Sequence, residues 1–191
     1  MEDQQKPTKK IALNYGLILG FLLVLPTLLG YAFDVSLLVS YWTMLYIFLA
    51  VIVMGIIVIK GEKKNFGGFI SFKDAFKPYF IMLVIAILIS TVVNFLLFNV
   101  IDKKFTDVVK EKQVELVENQ REWVMNKMAN APQEQVDETN DKFDESIENI
   151  RNENPYSVVS LAKGFGIFLS IFSFFGLILA LILKKKNPDL A

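Results

Sequence analysis

PYFIMLVIAILISTVVNFLLFNVI, residues 78–101, runs for 24 positions without a charged side chain, between Lys77 and Asp102. A helix of about 20 apolar residues is long enough to cross the hydrocarbon layer of a bilayer. Three more stretches of the same kind lie around it. Residues 11–33 give 23 uncharged positions between Lys10 and Asp34, residues 35–59 give 25 before Lys60, and residues 164–183 give 20 between Lys163 and Lys184. A soluble domain of this size would have to bury all four segments on every side. The reading is an all-α integral membrane protein with four transmembrane helices.

The rest of the composition narrows the chemistry. Apolar residues make up 53% of the 191, and Lys+Arg and Asp+Glu are both 20. A neutral chain exerts no long-range pull on nucleic acid, so no nucleic-acid partner is expected. With no His and no Cys, imidazole and thiolate metal sites, Cys nucleophiles and disulfides are excluded. No cofactor, metal site or catalytic residue is expected. Gly30-Tyr31-Ala32 loosely matches a signal cleavage site, but the uncharged run before it is long. The next span also follows after one acidic residue, as in a tight transmembrane hairpin.

Lys and Arg near span ends mark the cytoplasmic side. The tail 1–10 has Lys6, Lys9 and Lys10. The loop 60–77 has Lys60, Lys63, Lys64, Lys73 and Lys77, and the tail 184–191 has Lys184, Lys185 and Lys186. Both tails and the loop are therefore expected in the cytoplasm, with the first three spans inside 11–101. The segment 102–163, with nine Lys/Arg against fourteen Asp/Glu, is expected outside, ahead of the fourth span at 164–183.

No span contains Asp, Glu, Lys or Arg, which weighs against a proton-coupled pump. Asn94, an amide deep in span three, reads as an interhelical hydrogen bond before it reads as a ligand contact. Small residues share helix faces at 100° per residue. Gly16 and Gly20 do so in span one, and Ala86, Ser90 and Asn94 in span three. In span four the set is Ala162, Gly166, Ser170, Ser173, Gly176 and Ala180. In lipid such faces let backbones approach. The expectation is a closely packed bundle, with span four the candidate for contact with a second copy.

Ahead of span three, Gly67-Gly68 makes a turn, and Phe69, Phe72 and Phe76 follow at helical spacing beside Lys73 and Lys77. Aromatic surface with flanking ammonium groups is how a helix enters a membrane interface. Beyond span three the chain is expected to run on as a polar helix until Ala131-Pro132 breaks it. A second helix follows to Asn154-Pro155. The two form a helical hairpin between helices 3 and 4, standing off the membrane. Phe105, Val109, Leu116 and Trp123 lie along one side of its first arm and Val114, Val117, Val124 and Met128 along another, so two neighbours are called for. Trp123 and Met128, far along that arm, are the candidate partner surface unless Val136 and Phe143 cover them. Acidic residues from Glu134 to Glu148 read as a solvated face, since the Gly-turned loop of a calcium site is missing.

The chain resembles an uncharacterised bacterial membrane-protein family, domain of unknown function 4199. The resemblance rests on Tyr15-Gly16, on residues 67–76 (GGFISFKDAF), on Phe98-Asn99-Val100-Ile101-Asp102, on Asn154-Pro155-Tyr156 and on the closing lysines. It implies four transmembrane helices in a bacterial inner membrane and no activity. A non-enzymatic interaction, scaffold or regulatory protein of the envelope is expected, with the lipid bilayer, a second copy or a membrane protein as partner. The alternative is a subunit of an oligomeric transporter or channel.

Overall fold

The structure, a computed structural model, describes residues 5–185, with side chains from Lys9 onward. The outermost tail residues, and the side chain of Lys6 and all of Lys186 with them, lie outside the described residues. Seven α-helices follow one another: α1 (Gln5–Ala32), α2 (Ser36–Val39), α3 (Tyr41–Asn65), α4 (Phe72–Leu96), α5 (Phe105–Lys127), α6 (Gln133–Asn152) and α7 (Val158–Leu183). Leu97–Ile101 extends α4 as a π-helical turn. Four stretches are long and apolar enough to cross a membrane: Lys9–Ala32, Tyr41–Asn65, Phe72–Ile101 and Val158–Leu183. In lipid a helix satisfies its own backbone, which is why apolar runs of this length take that form. Among the described residues no strand forms, and a single antiparallel bridge joins Ile70 to Lys185.

Helix α4 is the centre of the bundle. It packs along α1, its most extensive neighbour, and also against α7 and α3. Ala75, Tyr79, Met82, Leu83, Ala86 and Ile87 are all buried, two or so on each turn.

Helix α1 carries Pro26 in its interior. Proline has no N–H to give to the carbonyl four residues back. That carbonyl belongs to Leu22, and the Tyr46 hydroxyl of α3 donates to it at 3.2 Å. A defect in one span is thereby closed by the next.

Several boundaries differ from the sequence reading. Spans one and two are not joined by a bare turn. Asp34 accepts from the N–H and the hydroxyl of Ser36 at 2.9 and 2.6 Å, which starts the single turn of α2. Ser40 then turns the chain and accepts from Trp42 N at 3.2 Å, capping α3. Ser36 holds the Asp34 carboxyl below the usual carboxylate range, with Lys112 adding to the effect. At its far end α3 runs past Lys60 to Asn65. Helix α7 begins at Val158, so Lys163 lies inside it rather than at its edge.

The largest departure is the hairpin. Span three does not continue into α5. The π turn closes with Asp102 N on Leu97 O at 2.8 Å. The Asp102 carboxylate accepts from Phe105 N at 3.2 Å, which starts a new helix in a new direction. The hairpin forms, broken around Ala131-Pro132, and Arg121 of α5 holds Asn140 and Asp144 of α6 at 2.9 and 2.7 Å. But α5 lies across the end of the bundle instead of standing off it. Its first residue, Phe105, meets Tyr31 of α1 edge-on at 4.8 Å. Val109 is buried in a cluster with Val35, Leu38 and Val39. Gln120, fifteen residues further on, donates to the hydroxyl of Tyr41, the first residue of α3. Fifteen residues of helix cover about 22 Å, so an upright α5 would have carried Gln120 far from Tyr41.

Candidate functional site

The polar and small residues of the spans gather on α4, and three neighbours lock to it in different ways. Against α1, a Cβ on Gly16 would come within 2.9 Å of Ile85, and one on Gly20 within 2.8 Å of Ile89. Two turns further along α1, Thr27 donates to the Asn94 side-chain oxygen at 3.3 Å. The Asn94 amide donates back to Ser90 O at 2.9 Å. Asn94 thus bridges two spans by an interhelical hydrogen bond.

Against α3 and α7 the lock is Tyr79, fully buried. Its ring fills the space left by two glycines. A Cβ on Gly55 of α3 would meet the ring at 2.5 Å, and one on Gly176 of α7 at 2.1 Å. The hydroxyl donates to Phe172 O at 2.8 Å. Ala180, one turn on, is also buried in the same core. Tyr79 and Gly55 escaped the sequence reading. A lone glycine facing a lone tyrosine on another span leaves no periodic trace.

The small face of span four is split. Gly176 and Ala180 face α4, and the Ser173 hydroxyl is enclosed without a hydrogen-bond partner. Gly166 and Ser170 are exposed, and no atom lies within 4 Å of a Cβ built on Gly166. They take no part in packing within the chain. At 100° per residue Gly166 and Ser170 lie about 80° and 120° round the helix from Gly176, and beside them the first half of α7 borders a cleft of about 240 Å³. Leu23 and Ile47 close its back, Phe165 and Phe168 its α7 side, while Ser90, Thr91, Asn94 and Ser160 give it a polar stripe. A cavity with apolar walls and a few convergent polar groups is the usual form of a small-molecule or lipid pocket.

A model of the family described as protein of unknown function (DUF4199) matches residues 14–185. The chain belongs to that family. No curated protein and no solved structure matches it.

Two of the DUF4199 stretches quoted from the sequence meet in space. Phe98 stacks on Tyr156 with ring centroids 3.4 Å apart. The Asn99 amide donates to Tyr156 O at 2.8 Å, and Asn154 accepts from Tyr156 N at 2.9 Å. This knot ties the end of span three to the start of α7. Burial there pushes the Tyr156 phenol up to about 12.

Residues 67–76 do a different job. Gly67 and Gly68 take φ of +66° and +91°, where a side chain is strained. Their turn brings Ile70 beside Lys185, N to O at 2.9 and 3.0 Å both ways. Ser71 then caps α4, accepting from Asp74 N at 3.2 Å. Phe72 and Phe76 stack at 6.4 Å, with Lys73 and Lys77 exposed beside them. Phe69 lies under the Lys185 ammonium, 5.1 Å from it, rather than on that aromatic stripe.

One charge was missed. Glu62, read as part of a loop, is 1% exposed because α3 extends beyond it. Asn65 donates to its carboxylate at 3.5 Å, and Lys63 nearby donates to Leu183 O at 2.8 Å. The acidic residues of α6 stay dispersed: among the described residues no group of three acids is placed to hold a metal ion. Trp123 is 65% exposed and Met128 half-buried, so Val136 and Phe143 do not cover the tryptophan.

Proposed function

We propose that this DUF4199 protein is a non-enzymatic scaffold or regulatory protein of the bacterial inner membrane, which works by receiving a transmembrane helix of a second copy or partner along α7. One observation carries the reading. The glycines of α1 and the middle glycine of α3 are filled by a neighbouring side chain, and so is Gly176, whereas Gly166 meets nothing. In lipid a small residue stabilises a bundle only where another backbone or side chain comes close. The neighbour for Ala162, Gly166 and Ser170 therefore comes from outside the chain. Support for cytoplasmic termini comes from the bridge between Ile70 and Lys185, which joins the lysine-rich α3–α4 loop to the lysine-rich end of α7.

Since the chain lacks cysteine, single cysteines test the proposal directly. In native membranes Gly166→Cys and Ser170→Cys should crosslink to a second copy or to a defined partner, and Leu13→Cys on the exposed side of α1 should not. Equal yields at all three sites would refute it. The polar stripe of the cleft at Asn94 favours a second reading, a subunit of an oligomeric transporter or channel. Solute flux through reconstituted protein that Asn94→Leu abolishes would select that reading.

A further inference from the structure

We propose that the α5–α6 hairpin rests on the bilayer itself, with Trp123 and Lys127 as a foot set into the lipid headgroup layer beside the bundle. Wound at about 100° per residue, Phe105, Val109, Lys112, Leu116, Gln120 and Trp123 fall within an arc of about 80°, and Lys127 falls in it too. The near part of that arc is already occupied by the bundle: Phe105 by Tyr31 and Phe98, Val109 by Val35 and Leu38. Gln120 reaches Tyr41 at the rim.

Trp123 points the same way one turn later, about 4.5 Å beyond Gln120 along the axis. There the protein has ended, and the indole is 65% exposed. Tyr41 is the first residue of a candidate span, so it marks the height of the membrane boundary. Tyr41 itself is 66% exposed and Trp42 beside it 78%. Trp123 thus extends an aromatic rim at the level where Trp and Tyr favour the headgroup region.

The charges agree with the placement. No acid falls on this arc of α5, while Glu111, Glu115, Glu118 and Glu122 cluster about 100° away from it, toward solvent. Helix α6 occupies a third side through Arg121 and Lys110. Lys127 sits over the Trp123 ring, 5.7 Å from its centroid, which sets an ammonium beside the indole where lipid phosphates would lie.

Trp42→Phe leaves Trp123 as the one tryptophan of the chain. This variant, purified at full length, is placed in vesicles of mixed neutral and anionic phospholipid, with and without bromine on the upper acyl carbons. The expected result is Trp123 emission about twofold lower in the brominated vesicles and little quenched by aqueous iodide. Equal emission in both vesicles with strong iodide quenching would place Trp123 in water and overturn the proposal. Equal emission with iodide shielding would place it against protein and overturn it as well. If Trp42→Phe does not fold, the difference between the unmodified chain and Trp123→Phe gives the same readout.

Discussion

Gly176→Ala should damage this protein far more than its one added methyl suggests. The new Cβ would stand 2.1, 2.4 and 2.9 Å from three carbons of the Tyr79 ring. Relaxing the closest contact to about 3.4 Å needs a shift of about 1.3 Å. Either α7 moves off α4, or the ring swings and releases Phe172 O, which it now holds at 2.8 Å. Gly55 blocks the ring on its other edge, so swinging is obstructed too. Overpacking of this kind costs about 1–3 kcal/mol. A hydrogen bond lost between spans adds about 0.6–1.7 kcal/mol. The expected total is about 2–5 kcal/mol, partly offset by the better helix propensity of alanine. The assay is reversible unfolding in mixed micelles, run as a double-mutant cycle with Tyr79→Leu. Shrinking the ring removes the obstruction, so Gly176→Ala should be nearly neutral in that background. Full stability of the single variant, or strict additivity in the cycle, would refute the wedge.

Gly166→Leu should leave the stability of the purified chain within about 0.5 kcal/mol while reducing crosslinking along α7, because nothing inside the chain meets that position. Tyr46→Phe should cost about 1 kcal/mol by stranding Leu22 O, and Pro26→Ala should cancel the loss by restoring a backbone N–H. Circular-dichroism melts of the two single variants and the double variant check both. Alkaline unfolding tests Tyr156, whose ordinary value is near 10 and whose folded value is about 12. Below pH 10 the phenol is protonated in both states and its contribution is intact. As pH rises from 10 to 12 the unfolded chain loses the proton first, so stability should fall by about 2–3 kcal/mol, and Tyr156→Phe should flatten that slope.

Four spans could be read from charge-free length alone, because lipid leaves a helix as the main way to satisfy the backbone of such a segment. The break near Pro132 was legible for an equally local reason. The two stripes of α5 were visible too, one for Val109 and one for Val114, but helical projection gives an azimuth and not a neighbour. That Val109 faces α2 follows from the π turn and the Asp102 cap, which redirect the chain through a contact geometry the sequence does not display. Tyr79 was hidden for a related reason: its importance lies in two glycines on two other helices. The small face of α7 looked uniform because helical projection does not say which part of a wide arc meets α4, and Gly166 and Ser170 lie about 80° and 120° from Gly176. Glu62 was misplaced by ending the span at the first lysine, since snorkelling side chains let α3 continue past it.

The position of α5 underlies both the fold and the proposed foot on the bilayer. It is tested most directly by Tyr41→Cys combined with Gln120→Cys, treated in intact membranes with a short bismaleimide, because a hydrogen bond between the tips of two long side chains leaves their backbones too far apart for a disulfide. A hairpin laid across the bundle predicts a crosslink within one chain, formed in high yield and absent with either single cysteine. A hairpin standing upright would hold the two positions about 20 Å apart, and failure of the pair to link would contradict the account.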